Sequence, residues 1–196
     1  ILDLSKIEAG RIDLEDVDFS LGLVLQRCLA LVSDRAQVKQ LAVGLDVADV
    51  PETLRGDPTR LRQAVVNLLS NAVKYNTDGG RVHIASRLRP HDMVVIAVTD
   101  TGLGMTADQL GELFQPFNRL GRERSSQEGT GIGLVISQRL AELMGGTVSV
   151  HSEPGQGSLF QVTVLATVAD AAALAITRSA DSVDSVGLAP FNAGSG

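Results

Sequence analysis

Asn67, Asn71 and Lys74 stand at i, i+4 and i+7 in the stretch N-L-L-S-N-A-V-K-Y-N (67–76). Asn is a poor helix-interior residue, roughly 0.5–0.7 kcal/mol worse than Ala, because its amide competes for backbone hydrogen bonds. The surrounding pattern is nevertheless helical. Leu61, Val65, Leu68, Leu69 and Ala72 form an apolar stripe, and Arg60, Gln63, Asn67, Asn71 and Lys74 form a polar one. An amide carbonyl is a neutral oxygen ligand suited to Mg²⁺, which keeps several waters and shares its shell with phosphate oxygens. A lysine one turn further on suits a phosphate. Taken alone, the same face reads equally well as a solvated one.

Two glycine-bearing segments add to this. D-T-G-L-G-M (100–105) follows an apolar run, and Gly102-x-Gly104-x-x-Ala107 formally matches a dinucleotide fingerprint. The match is weak: the preceding strands read as an antiparallel hairpin, and no second strand ending in an acid follows. Asp100 would be a poor neighbour for a pyrophosphate and a better acceptor for an adenine amino group. A surface turn using the positive φ of glycine is the plain alternative. G-T-G-I-G-L (129–134) opens a helix, where close backbone approach and free N–H groups suit phosphate. No G-x-x-x-x-G-K-[ST] occurs anywhere, which removes P-loop enzymes. His83, His91 and His151 have no metal-ligand spacing and no Ser–His–Asp context, so they read as structural or surface residues.

The elements that must position these residues follow from hydrophobic period and capping signals. Ser20 N-caps a helix to about Lys39 with Leu21, Val24, Leu25, Cys28, Leu31 and Val32 inward. Asp57 and Pro58 open the helix that reaches Tyr75. Strands are expected weakly at 11–18, then at 41–47, 82–88 and 93–99, the last two as a hairpin around Pro90 and Asp92. Thr106 and Gln109 make a capping box. Residues 112–131 form a long polar loop of the kind used as a lid. A helix over about 131–144 turns Ile132, Val135, Ile136, Leu140 and Leu143 inward, and strands at 147–152 and 158–165 close the domain. This order gives an α+β two-layer sandwich, a mixed but mostly antiparallel sheet with helices on one face.

The chain has 196 residues, 44% hydrophobic and 20% charged, an ordinary globular composition with a mostly aliphatic core. Its net charge of −6 argues against broad attraction to nucleic acid or acidic membranes, although a local basic patch is compatible with it. Cys28, the one cysteine, sits among apolar residues and reads as core. No apolar run approaches the roughly 18 residues of a membrane span, and there is no signal segment. I-L-D-L-S-K-I-E-A (1–9) is helical in spacing and halts at Gly10, so the chain reads as part of a longer protein. Past about Thr167 the pattern fails; the spacing near 169–176 allows a short helix, and the rest reads as linker or tail.

In this order the segments resemble the catalytic ATP-binding domain of bacterial sensor histidine kinases, part of the superfamily shared with gyrase B, Hsp90 and MutL. N-L-L-S-N-A-V-K-Y-N is similar to the N box, D-T-G-L-G-M to the first glycine box, F-Q-P-F (114–117) to the phenylalanine box and G-T-G-I-G-L to the second glycine box. G-Q-G-S-L-F (155–160) is similar to the last glycine turn and strand, and the opening I-L-D-L-S-K-I-E-A-G-R-I-D-L-E to the end of the second dimerisation helix. The resemblance spans about residues 1–165 and implies a Bergerat-type ATP-binding fold with a lid loop over ATP and Mg²⁺. It implies that Asn71 coordinates Mg²⁺ with Asn67 in support, that Lys74 contacts phosphates, and that Tyr75 packs near the nucleotide. Asp100 would accept from the adenine amino group, with Gly102, Gly104 and Met105 shaping the pocket. Arg119 would lie near the γ-phosphate, and Gly129, Thr130, Gly131, Gly133 and Leu134 would form the lid edge over the triphosphate.

The implied division is 1–10 as the end of the second dimerisation helix and hinge, 11–166 as the catalytic domain, and 167–196 as linker or tail. The chain departs from the family in one respect: no phosphoacceptor histidine box is present, since all three histidines lie downstream of the junction. The expected function is therefore binding Mg·ATP and transferring its γ-phosphoryl to a histidine on a dimerisation domain outside this chain, without self-phosphorylation. The implied partners are that domain and a response-regulator receiver domain, in the cytoplasm, with no nucleic acid and no membrane insertion by this segment. The alternatives are another ATPase or kinase of the superfamily, or a non-catalytic nucleotide sensor.

Overall fold

The computed structural model describes residues 5–7, 9, 12–116 and 131–168. The elements, in chain order, are β1 (Val17–Phe19), α1 (Leu21–Val38), β2 (Ala42–Asp49), β3 (Leu54–Gly56), α2 (Pro58–Lys74), β4 (Arg81–Arg89), β5 (Met93–Asp100), α3 (Ala107–Gly111), α4 (Gly133–Leu143), β6 (Thr147–Glu153), β7 (Gly157–Leu165) and β8 (Thr167–Val168). The main sheet has five strands in the order β2-β4-β5-β7-β6. Its β2–β4 pairing is parallel and the rest antiparallel. The mixed, antiparallel-dominated sheet expected from the sequence is thus the one observed.

Alternation along the strands creates two unlike faces. Val82, Ile84, Val94, Ile96, Val98, Val162 and Val164 are buried beneath the helices. In the helical layer α2 lies between α1 and α4 and against β5. Seven residues of α2 are buried, among them Leu61, Val65, Leu68 and Leu69. Truncating one such leucine to Ala would cost about 2–5 kcal/mol, so the helix that carries the two asparagines is anchored in the core. The outward row of β4 carries exposed Arg81, His83, Arg87 and Arg89, a basic strip on a chain of net negative charge.

Several expectations need correction. Among the described residues of the 11–18 region pairing begins only at Val17, and Val17–Phe19 pairs with β3, which in turn pairs with β8 in a second, three-stranded sheet. Neither β3 nor β8 is evident from alternation, and the pairing of Thr167 and Val168 runs two residues past Ala166. Leu31 and Leu143, expected to face inward, are 64% and 39% exposed. Both lie on the rim of their helix's apolar stripe, and with a sheet on one side only the buried arc is narrow. Helix α4 begins at Gly133, two residues later than expected. Cys28 is fully buried, and burial pushes its thiol up to about 11, so it is inert core. Among the described residues no helix is long and apolar enough to cross a membrane.

The β4–β5 hairpin turns through His91 and Asp92, both in the left-handed region at φ 64° and 56°. That conformation favours Asn-Gly over His-Asp. Replacing the pair by Asn-Gly should stabilise the fold by about 1 kcal/mol, or about 2–4 °C in Tm for a domain of this size. A thermal melt checks this; an unchanged or lower Tm contradicts it.

Candidate functional site

Helix α2 is held at both ends. The Asp57 side chain accepts the Arg60 N–H (2.8 Å) as N-cap and the Glu15 N–H (3.0 Å), with Pro58 in the first turn. At the other end Lys39 Nζ donates to the carbonyls of Lys74 (2.7 Å) and Asn76 (3.0 Å). An ammonium at that position also complements the negative end of the helix dipole. Between these anchors Asn67, Asn71, Lys74 and Tyr75 are all half-buried along the edge of the helix. The Lys74 ammonium lies 5.0 Å from the centroid of the Tyr75 ring, a cation–π distance.

The two asparagines on this face differ. Asn67 Nδ2 donates to the Gly133 carbonyl (3.0 Å) and to Ser137 Oγ (3.2 Å), tying α2 to the first turn of α4. Asn71 makes no side-chain hydrogen bond among the described residues. A half-buried amide without a protein partner suits a ligand. Asn76, which the sequence places in the turn ending the helix, is buried and structural. Its Nδ2 donates to the Arg81 carbonyl (2.9 Å), and its Oδ1 accepts from the Thr77 N–H (2.9 Å) and Thr101 Oγ1 (3.4 Å).

The glycine turn docks on the end of α2. The Leu103 N–H donates to the Tyr75 carbonyl (3.1 Å). Position 102 has to be glycine here, since a Cβ would stand 2.5 Å from that same Tyr75 carbonyl and 2.9 Å from Asp100 Oδ1. Gly104 has φ +65°, and a Cβ there would collide with the Glu153 carbonyl. Met105 is buried beneath the turn. Thr106 and Gln109 form the expected capping box of α3.

Asp100 ends β5, a central strand of the sheet, and is 8% exposed. Its Oδ1 accepts the Gly102 N–H at 2.8 Å. Burial raises its pKa above the ordinary aspartate value, with the Gly102 and Ser158 N–H groups counteracting. A buried carboxylate spending part of its capacity on a backbone amide retains acceptor capacity for a ligand donor.

At the start of α4, Gly131 has φ 72° and the N-cap Ile132 makes no side-chain capping bond. No acidic residue stands in the first turn, so its N–H groups and the positive helix end are suited to an anion. Gly133 packs against Asn67, and Leu134 is half-buried beside it. Arg119, Gly129 and Thr130 lie outside the described residues, as do Phe117 and most of the predicted lid.

The donor set also bears on the metal. Among the described residues no cluster of three His, Cys, Asp or Glu exists. The oxygens on the α2 face are neutral amides, which suit Mg²⁺ holding most of its shell as water and phosphate oxygen rather than an all-protein cage. The sequence reading missed Lys39 and Ser137. Ser137 was detectable as a polar residue on the apolar stripe of α4, where it is fully buried. Nothing comparable marked Lys39.

A two-layer fold with this helix, carboxylate and pair of glycine turns defines a nucleotide-binding domain class. The chain belongs to the histidine kinase-, DNA gyrase B- and HSP90-like ATPase family, whose sequence profile matches residues 56–168. It is 43% identical over 169 residues to the sensor protein GacS of Pseudomonas syringae pv. syringae, covering 84% of this chain and 19% of that protein. It is 37% identical over 166 residues to the signal transduction histidine-protein kinase BarA of Escherichia coli K12, covering 82% of this chain and 18% of that protein. The chain thus spans about a fifth of the length of these relatives. Among solved structures it is similar to full-length ShkA in complex with AMPPNP, with a TM-score of 0.77 and 30% identity over 86% of this chain and 35% of that one. The catalytic domain of histidine kinase ThkA shares the fold, with a TM-score of 0.66 and 21% identity over 78% of this chain and 97% of that one.

Proposed function

We propose that this chain is the ATP-binding catalytic domain of a two-component sensor histidine kinase. It binds Mg·ATP and presents the γ-phosphoryl to a histidine on a dimerisation domain outside the chain. The observation that carries this reading is the Leu103–Tyr75 hydrogen bond. It brings the Asp100 turn to the end of the helix whose half-buried Asn71 amide has no protein partner among the described residues. Adenine selection and phosphate handling thereby meet at one helix. AMPPNP in the complex of ShkA, which is similar to this chain, supports the choice of nucleotide.

In this reading Asp100 accepts from the adenine amino group, while Gly102, Gly104 and Met105 shape the base pocket and Tyr75 packs against it. Lys74 faces the phosphates, and the first turn of α4, with Gly129, Thr130, Gly131, Gly133 and Leu134, closes over them. Asn71, supported by Asn67, holds Mg²⁺, which when bound neutralises charge on the phosphate oxygens. Arg119 meets the charge that develops on the transferred group. Phosphoryl transfer needs mainly such positioning and charge stabilisation. The chain supplies no acceptor of its own: His83 and His151 sit on strands, and His91 in the hairpin turn. Residues 1–10 are then the end of a dimerisation helix and the hinge to the domain that follows. The phosphoryl passes on to a receiver domain; a complex of ThkA with the response regulator TrrA provides the precedent. This chemistry belongs on the cytoplasmic side.

The test is to mix the chain with γ-labelled ATP and a separately produced dimerisation domain of its parent protein. Acid-labile, base-stable label on that domain is the expected result, with none on the chain itself. Alkali-labile label, or label on the chain, overturns the proposal.

A further inference from the structure

Ser137 is fully buried at the α2–α4 contact, with no direct place in the proposed pocket. Its hydroxyl lies 3.0 Å from the Ala64 carbonyl and 3.2 Å from Asn67 Nδ2. The direction of each bond follows from what the groups can do. A carbonyl only accepts, so the single hydroxyl proton of Ser137 goes to Ala64 and its oxygen must accept from Asn67. The Asn67 atom on that side is therefore the NH₂ group, as the Gly133 carbonyl at 3.0 Å independently requires. The two ends of an amide are otherwise interchangeable in shape. Ala64, Ser137 and Gly133 together occupy the NH₂ end and leave the Asn67 carbonyl oxygen without a hydrogen bond among the described residues.

We infer that Ser137 is a positioning residue for nucleotide binding. It locks the Asn67 amide with its oxygen toward the ligand and, through the same NH₂ group, fixes Gly133 at the start of α4. This rests on the Mg·ATP reading of the site and extends it to a residue outside the pocket. A serine there holds two things in register: the oxygen available to the Mg²⁺ shell and the helix end facing the phosphates.

A double-mutant cycle on the full chain tests this, with Mg·ATP affinity read by calorimetry in wild type, Ser137→Ala, Asn67→Ala and the double variant. Ser137→Ala should weaken Mg·ATP about five-fold, the loss expected of one neutral hydrogen bond, and should have no effect in the Asn67→Ala background. Adenosine, which carries neither phosphate nor metal, should bind with unchanged affinity in Ser137→Ala. An equal loss in both backgrounds, or no loss in the wild type, overturns the inference while leaving the nucleotide site intact. Failure of the wild type itself to bind Mg·ATP overturns the functional reading and this inference with it. A melt of each apo variant guards the comparison. If Ser137→Ala melts well below the wild type, Ser137→Cys takes its place, keeping the volume and most of the packing while weakening the hydrogen bond.

Discussion

Asn71→Ala should weaken Mg·ATP binding by at least about 10–100-fold, the range seen when groups supporting a bound metal are removed. The apo domain should at the same time become more stable. Asn71 lies in the interior of α2 and makes no side-chain hydrogen bond among the described residues. Alanine there gains roughly 0.5–0.7 kcal/mol of helix propensity, about 1–3 °C in Tm. Opposite signs separate a ligand residue from a structural one: a residue retained for the fold loses stability when truncated. Calorimetry and a melt of the same preparation give both numbers. Unchanged Mg·ATP affinity would remove Asn71 from the metal site, and a large drop in Tm would make it structural.

Asp100→Asn should be as damaging to binding, for a reason set by the backbone N–H groups around its carboxylate. The Gly102 N–H donates to Asp100 Oδ1 and the Ser158 N–H also acts on the carboxylate, so in the variant the amide oxygen stays with these donors and the NH₂ group takes the remaining position. That position would then present a donor to the adenine amino group, itself a donor. Losing a charge-assisted bond and leaving a buried donor unpaired costs about 2–3 kcal/mol, roughly 30–150-fold in ATP affinity. GTP, which offers a carbonyl at the corresponding place, should be affected less, so ATP-over-GTP discrimination should fall. Equal discrimination before and after contradicts the adenine role.

The same substitution should stabilise the apo fold at neutral pH, because burial raises the Asp100 pKa. The sign is definite. An acid whose folded pKa exceeds its unfolded value, about 3.9 for Asp, contributes stability fully below the unfolded pKa. That contribution is lost as pH rises through the folded pKa. Asp100→Asn does not titrate there, so its stability advantage over the wild type should be least near pH 4 and grow toward neutrality. Melts across that range check it; an advantage that shrinks with rising pH contradicts it.

Much of this was legible because the relevant signals are local. The Asp57–Pro58 start of α2, the Ser20 cap of α1 and the Thr106–Gln109 box each use residues within one turn, and each appears as expected. The α2 polar face was legible for the same reason, since helical period alone aligns Asn67, Asn71 and Lys74. What escaped was non-local. Strand β3 has three residues and one buried side chain, Leu54, so its existence depends on β1 and β8, far away in sequence. Leu31 and Leu143 were misplaced because periodicity gives the direction of an apolar stripe but not how wide an arc the neighbouring layer covers. Lys39 reaches carbonyls 35 and 37 residues away, and Ser137 a carbonyl 73 away, contacts that no short pattern encodes.

The central claim is that one face of α2 and the Asp100 turn form a single Mg·ATP site. Calorimetric titration of the chain with ATP and with GTP, each with Mg²⁺ and with chelator, tests it most directly. The account predicts one ATP per chain, affinity reduced but not abolished on chelation, and weaker GTP binding under either condition. Absence of ATP binding, or ATP and GTP binding alike with no dependence on Mg²⁺, would contradict it.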